Sequence, residues 1–436
     1  MMMKIETLYT LFRQHPEICT DTRKIKPGCL FFALQGLNFD GNSFATQALR
    51  LGASYVIVSD PHLKGPEFLF VNDTLETLQS LAHFHRTQLN IPLIAITGSN
   101  GKTTTKELIT CALREKYKVH ATTGNLNNHI GVPLTLLSTP TGTEIIVCEM
   151  GANHIGEIEK LCEIAMPTHG IITNIGNAHL EGFGSIDGVQ KAKGELFEYL
   201  NFHGGFAFVN TDDVRLRKIG SLLRRKTTFG FDHSASPDIS FDYHTTIEKS
   251  GFTIEDSIHG ITIRSDMFGF YNASNVLGAY TVGRHFDVTV NKIVASLSSF
   301  IPGANRSESI SFRGCRVIKD AYNANPSSME LALRAFSLQY PNGWIVLGDM
   351  KELGSESDQA HHHILNVIKE LGFQNVVLVG STFRNAVQNQ KNLFANLIVA
   401  ESIEDIKSGW DWQKCNGQTL LLKGSRSMTM EKLLED

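Results

Sequence analysis

The residues best suited to chemistry lie in Ile94-Ala-Ile-Thr-Gly-Ser-Asn-Gly-Lys-Thr-Thr-Thr-Lys106. An apolar, β-branched run from Ile91 to Ile96 breaks into a glycine-rich loop that ends in Gly101-Lys102-Thr103, and a helix-compatible run, Glu107 to Lys116, follows. Strand, glycine loop, Lys-Thr and helix in that order make a phosphate cradle. Loop amides and a helix N-terminus face the anion, the lysine adds a point charge, and a threonine hydroxyl can reach a metal ion. The candidate residues are Gly98, Ser99, Asn100, Gly101, Lys102, Thr103 and Thr104, and the expected ligand is a nucleoside triphosphate. The usual spacing is Gly-x-x-x-x-Gly-Lys-Ser/Thr, but here the position five before Gly101 is Ile96 and Gly98 stands three before it. The loop is a shortened form; the alternative is a glycine-rich turn followed by a chance Lys-Thr pair.

Ligands of open parallel sheets sit at the carboxyl ends of the strands. Polar clusters fall at three such ends: Glu149-Met-Gly151, Asn174-Ile-Gly-Asn-Ala-His179 and Asp320-Ala-Tyr-Asn-Ala-Asn-Pro326. Glu149 and His179 could approach the phosphate loop and bind Mg²⁺, which prefers oxygen ligands and retained waters. Their alternative is a helix cap or an ion-pair partner. Lys193, in Gln190-Lys-Ala-Lys-Gly-Glu-Leu-Phe197, reads by spacing alone as a solvated lysine on a helix.

The elements that must position these residues divide into three units. Residues 1–88 read as a small α/β unit with strands near Cys29–Leu34, Tyr55–Val58 and Phe68–Val71. Residues 89–302 alternate strand and helix, with strands at Ile94–Thr97, Tyr117–Ala121, Glu144–Glu149, Gly170–Asn174 and Gly205–Val209. Continuous apolar strands between amphipathic helices indicate a parallel sheet covered on both faces. An antiparallel patch is expected from Asp238 to Ser265, then helices over Tyr271–Phe286 and Val290–Phe300. After the Ile301-Pro-Gly303 linker, residues 303–436 alternate again, with strands at Arg316–Ala321, Trp344–Leu347, Val376–Val379 and Thr419–Leu422, a Rossmann-like unit. The fold class is α/β.

A chain of 436 residues suits roughly two to four domains. The net charge of −4 argues against a general nucleic-acid binder. No apolar run approaches the ~18 residues of a membrane span, and the start lacks a signal-peptide core. Seven scattered cysteines without a C-x-x-C suggest reduced thiols in a cytoplasmic protein. The histidines, His361-His-His363 included, read as helix-surface residues rather than a metal site.

Seven motifs in order resemble the Mur ligase family of ATP-dependent amide-bond-forming enzymes, over nearly the whole chain. They are Thr97-Gly-Ser-Asn-Gly-Lys-Thr-Thr104, Gly124-Asn-Leu-Asn-Asn-His-Ile-Gly-Val-Pro133, Glu149-Met-Gly-Ala-Asn-His-Ile-Gly-Glu-Ile158, Thr173-Asn-Ile-Gly-Asn-Ala-His-Leu-Glu-Gly-Phe-Gly184, Asp320-Ala-Tyr-Asn-Ala-Asn-Pro326, Val346-Leu-Gly-Asp-Met-Lys-Glu-Leu-Gly354 and Lys423-Gly-Ser-Arg426. The short phosphate loop is this family's own form. The resemblance implies that Lys102, Thr103 and Thr104 hold ATP phosphates and one Mg²⁺, and that Thr103, Glu149, His179 and Lys193 form the metal environment. Lys193 matches a position where the family often carries a carbamylated lysine. Asn272 and Asn275 match the helix start that contacts adenine, with Tyr271 where the family usually has His. Arg306 resembles the linker arginine that reaches the γ-phosphate, and Asp320 the acid near the ribose.

On the substrate side, Thr22, Arg23 and Gln35 match the uridine-nucleotide region and Asn127 and Asn128 the peptidyl end. Tyr322, Asn323, Asn325, Ser425 and Arg426 match segments assigned to an acceptor dipeptide. Tyr322-Asn-Ala-Asn-Pro326 with Gly348-Asp-Met-Lys-Glu-Leu-Gly354 is most similar to the branch that adds D-alanyl-D-alanine to UDP-N-acetylmuramoyl-tripeptide. The branch adding the third residue typically carries Asp-Asn-Pro-Arg, a run not present here. The resemblance leaves open whether the tripeptide ends in lysine or a diamino acid such as meso-diaminopimelate. A monomer is expected. Other readings are a third-residue adder, a folylpolyglutamate synthase-like ligase, or a P-loop ATPase that uses ATP only as a switch.

Overall fold

Continuous apolar strands in the middle of the chain build a sheet buried on both faces. In Leu93–Thr97, Leu93 and Ala95 join one core with Ile146, Cys148 and Ile172, while Ile94 and Ile96 join another with Val147, Ile171 and Phe208. The computed structural model describes residues 3–36, 38–177, 180–245, 251–303, 305–388 and 393–435. Seven parallel strands order as Ile239–Ser240, Lys226–Gly230, Phe206–Asn210, His169–Ile172, Leu93–Thr97, Ile145–Glu149 and Val119–Ala121. From Leu93–Thr97 the chain passes to Val119–Ala121 on one side, whereas from the adjacent His169–Ile172 it passes to Phe206–Asn210 on the other, the divergence that opens a crevice at the carboxyl ends of the two strands.

The helix after the phosphate loop begins at Lys102, earlier than the expected Glu107, and runs to Arg114. Gly101, at φ +78, turns the chain into it. Leu108, Ile109, Ala112 and Leu113 bury one face against Val276, Leu277 and Tyr280 of the Tyr271–His285 helix. The expected antiparallel patch is the three-stranded sheet Asp242–Thr245, Phe252–Asp256 and Ile261–Ser265. Its expected first residues, Ile239–Ser240, instead extend the central sheet in parallel with Lys226–Gly230.

The first unit carries parallel strands Ile18–Cys19, Leu30–Phe32, Tyr55–Val58 and Phe68–Phe70. Its core is continuous with that of the central sheet: Leu8, Phe12, Leu30, Leu78 and Leu81 join the cluster that holds Leu136, Leu161 and Leu196. The third sheet orders as Glu308–Phe312, Cys315–Asp320, Thr419–Lys423, Trp344–Gly348, Asn375–Val379 and Asn396–Ala400. All its pairings are parallel except the first hairpin. That hairpin closes through Arg313 and Gly314, with φ +46 and +83, the left-handed pair a two-residue turn requires. Its two faces have cores of their own. No described helix is long and apolar enough to cross a membrane.

Candidate active site

At the exit of Leu93–Thr97, Gly98 takes φ +143, and a Cβ there would overlap Thr173 Oγ1. The loop is fastened to the exit of the neighbouring strand. Ser99 N–H donates to Asn174 O (3.0 Å), Asn100 N–H to Asn174 Oδ1 (3.1 Å) and Thr173 Oγ1 to Asn100 O (2.6 Å). Lys102 Nζ donates back to Gly98 O at 2.7 Å and Ser99 O at 3.3 Å. Burial lowers its pKa, Glu149 opposes that, and the guanidinium of Arg306 adds to it.

Glu149 ends its strand only 2 % exposed. Thr103 Oγ1 donates to its Oε2 and Asn127 Nδ2 to its Oε1, each at 2.8 Å. A carboxylate has about four lone-pair sites, so both oxygens keep capacity for a further ligand. Asn128 Oδ1 accepts from the N–H groups of Ile130 (3.1 Å) and Gly131 (2.9 Å), holding the turn into the Gly131–Leu137 helix.

Lys193 is not the solvated lysine its spacing suggests. It lies on the buried side of the Ile186–Phe202 helix, 1 % exposed, with Nζ donating to Ala152 O at 3.2 Å and 5.0 Å from the Phe183 ring centre. Burial, with the charge of Lys102 adding to it against Glu157 and Glu195, pulls its pKa down to about 7. His179 lies outside the described residues. Among the described residues no three His, Cys, Asp or Glu side chains cluster as a metal site.

The third sheet supplies the facing wall. The Arg306 guanidinium stacks 3.7 Å from the centre of the Tyr322 ring. Asp320 Oδ2 accepts from buried Lys423 at 2.6 Å. Tyr271, where the family usually has His, shares a 3.1 Å hydrogen bond with Ser307 Oγ, and burial together with Asp320 pushes its pKa well up. Between the walls lies a cleft of about 570 Å³. It is lined by Ser99, Asn100, Gly101, Lys102, Thr103, Thr104, Asn127, Asn128, Glu149, Asn272, Asn275, Arg306, Asp320, Tyr322, Asn323, Asn325 and Arg426 from the expected set. Sequence reasoning did not single out Asn174, Glu157, Ser307 or Lys423 as cleft residues, although the first, second and fourth stand inside its motifs.

Not every expected residue points there. Asn272 and Asn275 line the cleft, but their amides form an internal chain: Thr105 Oγ1 to Asn275 Oδ1 (3.1 Å), Asn275 Nδ2 to Asn272 Oδ1 (2.9 Å) and Asn272 Nδ2 to Phe268 O (2.9 Å). They fasten their helix to the phosphate-loop helix. Buried Ser425 spends its hydroxyl on Lys351 N–H (2.8 Å) and Ala324 O (3.3 Å). Thr22, Arg23 and Gln35 lie in the first unit and do not line the cleft. Arg23 is held in a bidentate pair by Asp21, Nε–Oδ1 2.9 Å and Nη2–Oδ2 2.7 Å. His361 is buried, against the surface expectation. Its Nε2 accepts from Met350 N–H (3.1 Å) and its Nδ1 faces Ser357 O (2.7 Å), a pattern that requires the neutral ring. Its spacing with Ile364, Leu365 and Ile368 on one face of Ser357–Glu370 was the available signal.

Asn325 joins the two walls. Its Oδ1 accepts from Ser328 N–H at 2.9 Å, capping the Pro326–Gln339 helix, and its Nδ2 donates to Asn100 Oδ1 at 2.8 Å. Beside it, Ser327 Oγ accepts from Asn177 N–H at 2.9 Å. Serine is also a good helix cap but too short to reach Asn100. Asn325→Ser is therefore expected to leave thermal stability within ~1 kcal/mol of wild type while raising the KM for ATP several-fold. Unfolding curves and steady-state kinetics check both, and an unchanged KM would remove the bridge from the working site.

The strand-exit cradle and the cleft shared with a Rossmann-like unit define an α/β ligase architecture, and the chain belongs to the Mur ligase family. Residues 17–86 match the Mur ligase family catalytic domain, 96–283 the Mur ligase middle domain and 305–426 the Mur ligase glutamate ligase domain. The chain is 34 % identical over 427 residues to the UDP-N-acetylmuramoyl-tripeptide–D-alanyl-D-alanine ligase of Bacillus subtilis, covering 96 % of this chain and 92 % of that one. It superimposes on MurF from Acinetobacter baumannii with a TM-score of 0.85 at 32 % identity, covering 96 % and 92 %. The ADP complex of MurF ligase from Thermotoga maritima is similar at TM-score 0.82 and 26 % identity, covering 96 % of each chain.

Proposed function

We propose that this chain joins D-alanyl-D-alanine to the free carboxylate of UDP-N-acetylmuramoyl-tripeptide at the expense of ATP, in peptidoglycan synthesis. The observation that carries this reading is the single cleft in which phosphate loop, Glu149, Arg306 and the Tyr322–Asn325 segment face one another. The ligase names of the relatives support the choice of substrates. Residues 1–88 bind the uridine end, with Thr22, Arg23 and Gln35 as the contacts. Residues 89–302 bind ATP, and residues 303–436 bring the dipeptide.

A carboxylate is a poor electrophile. Attack of its oxygen on the γ-phosphorus expels ADP and leaves an acyl phosphate; the neutral amine of the dipeptide then attacks the acyl carbon, phosphate departs with the bonding pair, and the nitrogen gives up a proton to solvent. Gly98 to Gly101 present backbone to the phosphates, and Lys102 leaves its loop carbonyls to meet them. Arg306, stacked on Tyr322, is aimed from the opposite wall at the transferred phosphoryl group, where positioned charge supplies most of the catalysis. Asp320 faces the ribose, and Asn272 and Asn275 bound the adenine side. Asn127 and Asn128 hold the peptide end; Tyr322, Asn323, Asn325, Ser425 and Arg426 shape the dipeptide side.

The residues fit a magnesium ion: Thr103 Oγ1 and both Glu149 oxygens are hard oxygen donors beside the phosphate loop. Magnesium would neutralise phosphate charge there, and His179 belongs to the same proposed set. Burial pulls the Lys193 pKa down to about 7, so a substantial share of its amine is neutral and nucleophilic near neutral pH. Carbon dioxide can add to that amine to give a carbamate, an oxygen ligand in place of an ammonium. A wall made from two units that approach each other also excludes water from the acyl phosphate.

Phosphate release is the test, measured with ATP, Mg²⁺ and UDP-N-acetylmuramoyl-tripeptide, with and without D-alanyl-D-alanine. Release that needs both substrates, with a pentapeptide product by mass, is expected. Release independent of either would leave only an ATPase switch.

A further inference from the structure

Beside the reaction cleft lies a second cavity of about 300 Å³. The two share Asn128, His129, Gly151 and Glu157, so they adjoin across a common wall. One side of the second cavity is the first unit: Gln79, on the Thr74–Gln88 helix, lines it and donates from Nε2 to His129 O at 3.0 Å. The other side is one face of the Glu157–Ala165 helix, where Leu161, 2 % exposed, forms an apolar floor. Lys160 and Glu163 stand on that face at i, i+3 spacing, both solvent-exposed. They carry opposite charges, yet no ion pair joins them or ties either to another group among the described residues.

We propose that this side cavity receives the side chain of the tripeptide's third residue. There Lys160 and Glu163 read an amino-acid group at its tip, the carboxylate against Lys160 and the ammonium against Glu163. The proposal rests on the ligase reading above. In that reaction the activated carboxyl belongs to the third residue, so its side chain branches one atom from the reacting carbon. A side chain at that point cannot travel far. The cleft wall that holds the reacting carboxyl, Asn127 to Glu149, continues through Asn128 and Gly151 into this cavity. The uridine end rests on the first unit, which supplies the opposite side, so the substrate must pass this interface. A side chain ending in an ammonium alone would satisfy Glu163 and leave Lys160 facing a like charge. One ending in both groups, as in a 2,6-diamino diacid, meets complementary charge at both positions.

The experiment uses two tripeptide nucleotides that differ only in the third residue, lysine or meso-diaminopimelate, with the full chain, ATP, Mg²⁺ and D-alanyl-D-alanine. The diamino diacid substrate is expected to have the higher kcat/KM, by about tenfold. Lys160→Met should lower kcat/KM for that substrate about fivefold, the size of a solvent-exposed ion pair, and leave the lysine substrate unchanged or improved. Glu163→Gln should lower both about equally. A preference for the lysine substrate, or a Lys160→Met variant with an unchanged ratio between the two, would overturn the assignment while leaving the ligase intact. Dipeptide-independent phosphate release with both substrates would overturn the ligase reading, and this one with it.

Discussion

Replacing Lys102 by alanine is expected to reduce phosphate release by about 10³-fold or more, with the fold retained. The side chain is the one point charge inside the loop, and its present partners are two carbonyls of that loop, Gly98 O and Ser99 O. Those bonds cost the protein little to lose, because Asn174 and Thr173 hold the loop independently. Burial disfavours the charge and lowers its pKa, with the Arg306 guanidinium adding to that and Glu149 opposing it. On a polyphosphate the balance inverts: a preorganised donor facing developing charge in a water-poor site is typically worth a factor of 10²–10³, and a full charge more. Parallel phosphate-release assays and thermal unfolding decide the matter. Turnover near wild type would remove Lys102 from the reaction.

Lys193→Met is expected to stabilise the protein and to destroy its activity. Burial pulls the folded pKa of Lys193 from 10.5 to about 7. The unfolded chain therefore binds a proton that the folded chain lacks between about pH 7 and 10.5, and wild-type stability rises with pH through that window. Below pH 7 the cost of the buried ammonium is present in full. Methionine removes the cost at similar volume, so in bicarbonate-free buffer at pH 7 the variant should gain roughly 2–4 kcal/mol. The gap should close as pH approaches 10. Phosphate release should fall by about 10²-fold or more, the loss that follows removal of a transition-state charge partner. Chemical denaturation at a series of pH values measures the first effect. A less stable variant at neutral pH would deny the burial cost, and one that still turns over would deny Lys193 its role.

What could be read from the sequence was what depends on neighbours along the chain. The phosphate loop and Glu149 announce themselves because an apolar strand run and its polar exit are local patterns, and most parallel strands were found for the same reason. Lys226–Gly230 and Glu308–Phe312 were not, because Lys-Thr-Thr-Phe-Gly and Glu-Ser-Ile-Ser-Phe carry their pairing information in other segments: Phe206–Asn210 for the first, and for the second the Arg313-Gly314 turn with Cys315–Asp320. Lys193 and His361 read as exposed because a charged or polar side chain is usually solvated, although each stands on the apolar face of its helix, with Val189, Leu196 and Leu200 in the first and Ile364, Leu365 and Ile368 in the second. Asn272 and Asn275 stand where expected, but only the fold reveals that their amides are spent on each other and on Thr105. The bridge from Asn325 to Asn100 spans 225 positions and leaves no local trace.

The unbroken core that ties Leu8 and Leu78 to Leu136 and Leu196 has a mechanical consequence. Separating the first unit from the central sheet would expose buried leucines to water, and the third unit is tied to the central one both by Phe268 packed against Phe336 and by the bonds of Asn325 to Asn100 and of Asn177 to Ser327. A ligand lying across the first two units would therefore rest on one continuous rail rather than on a joint.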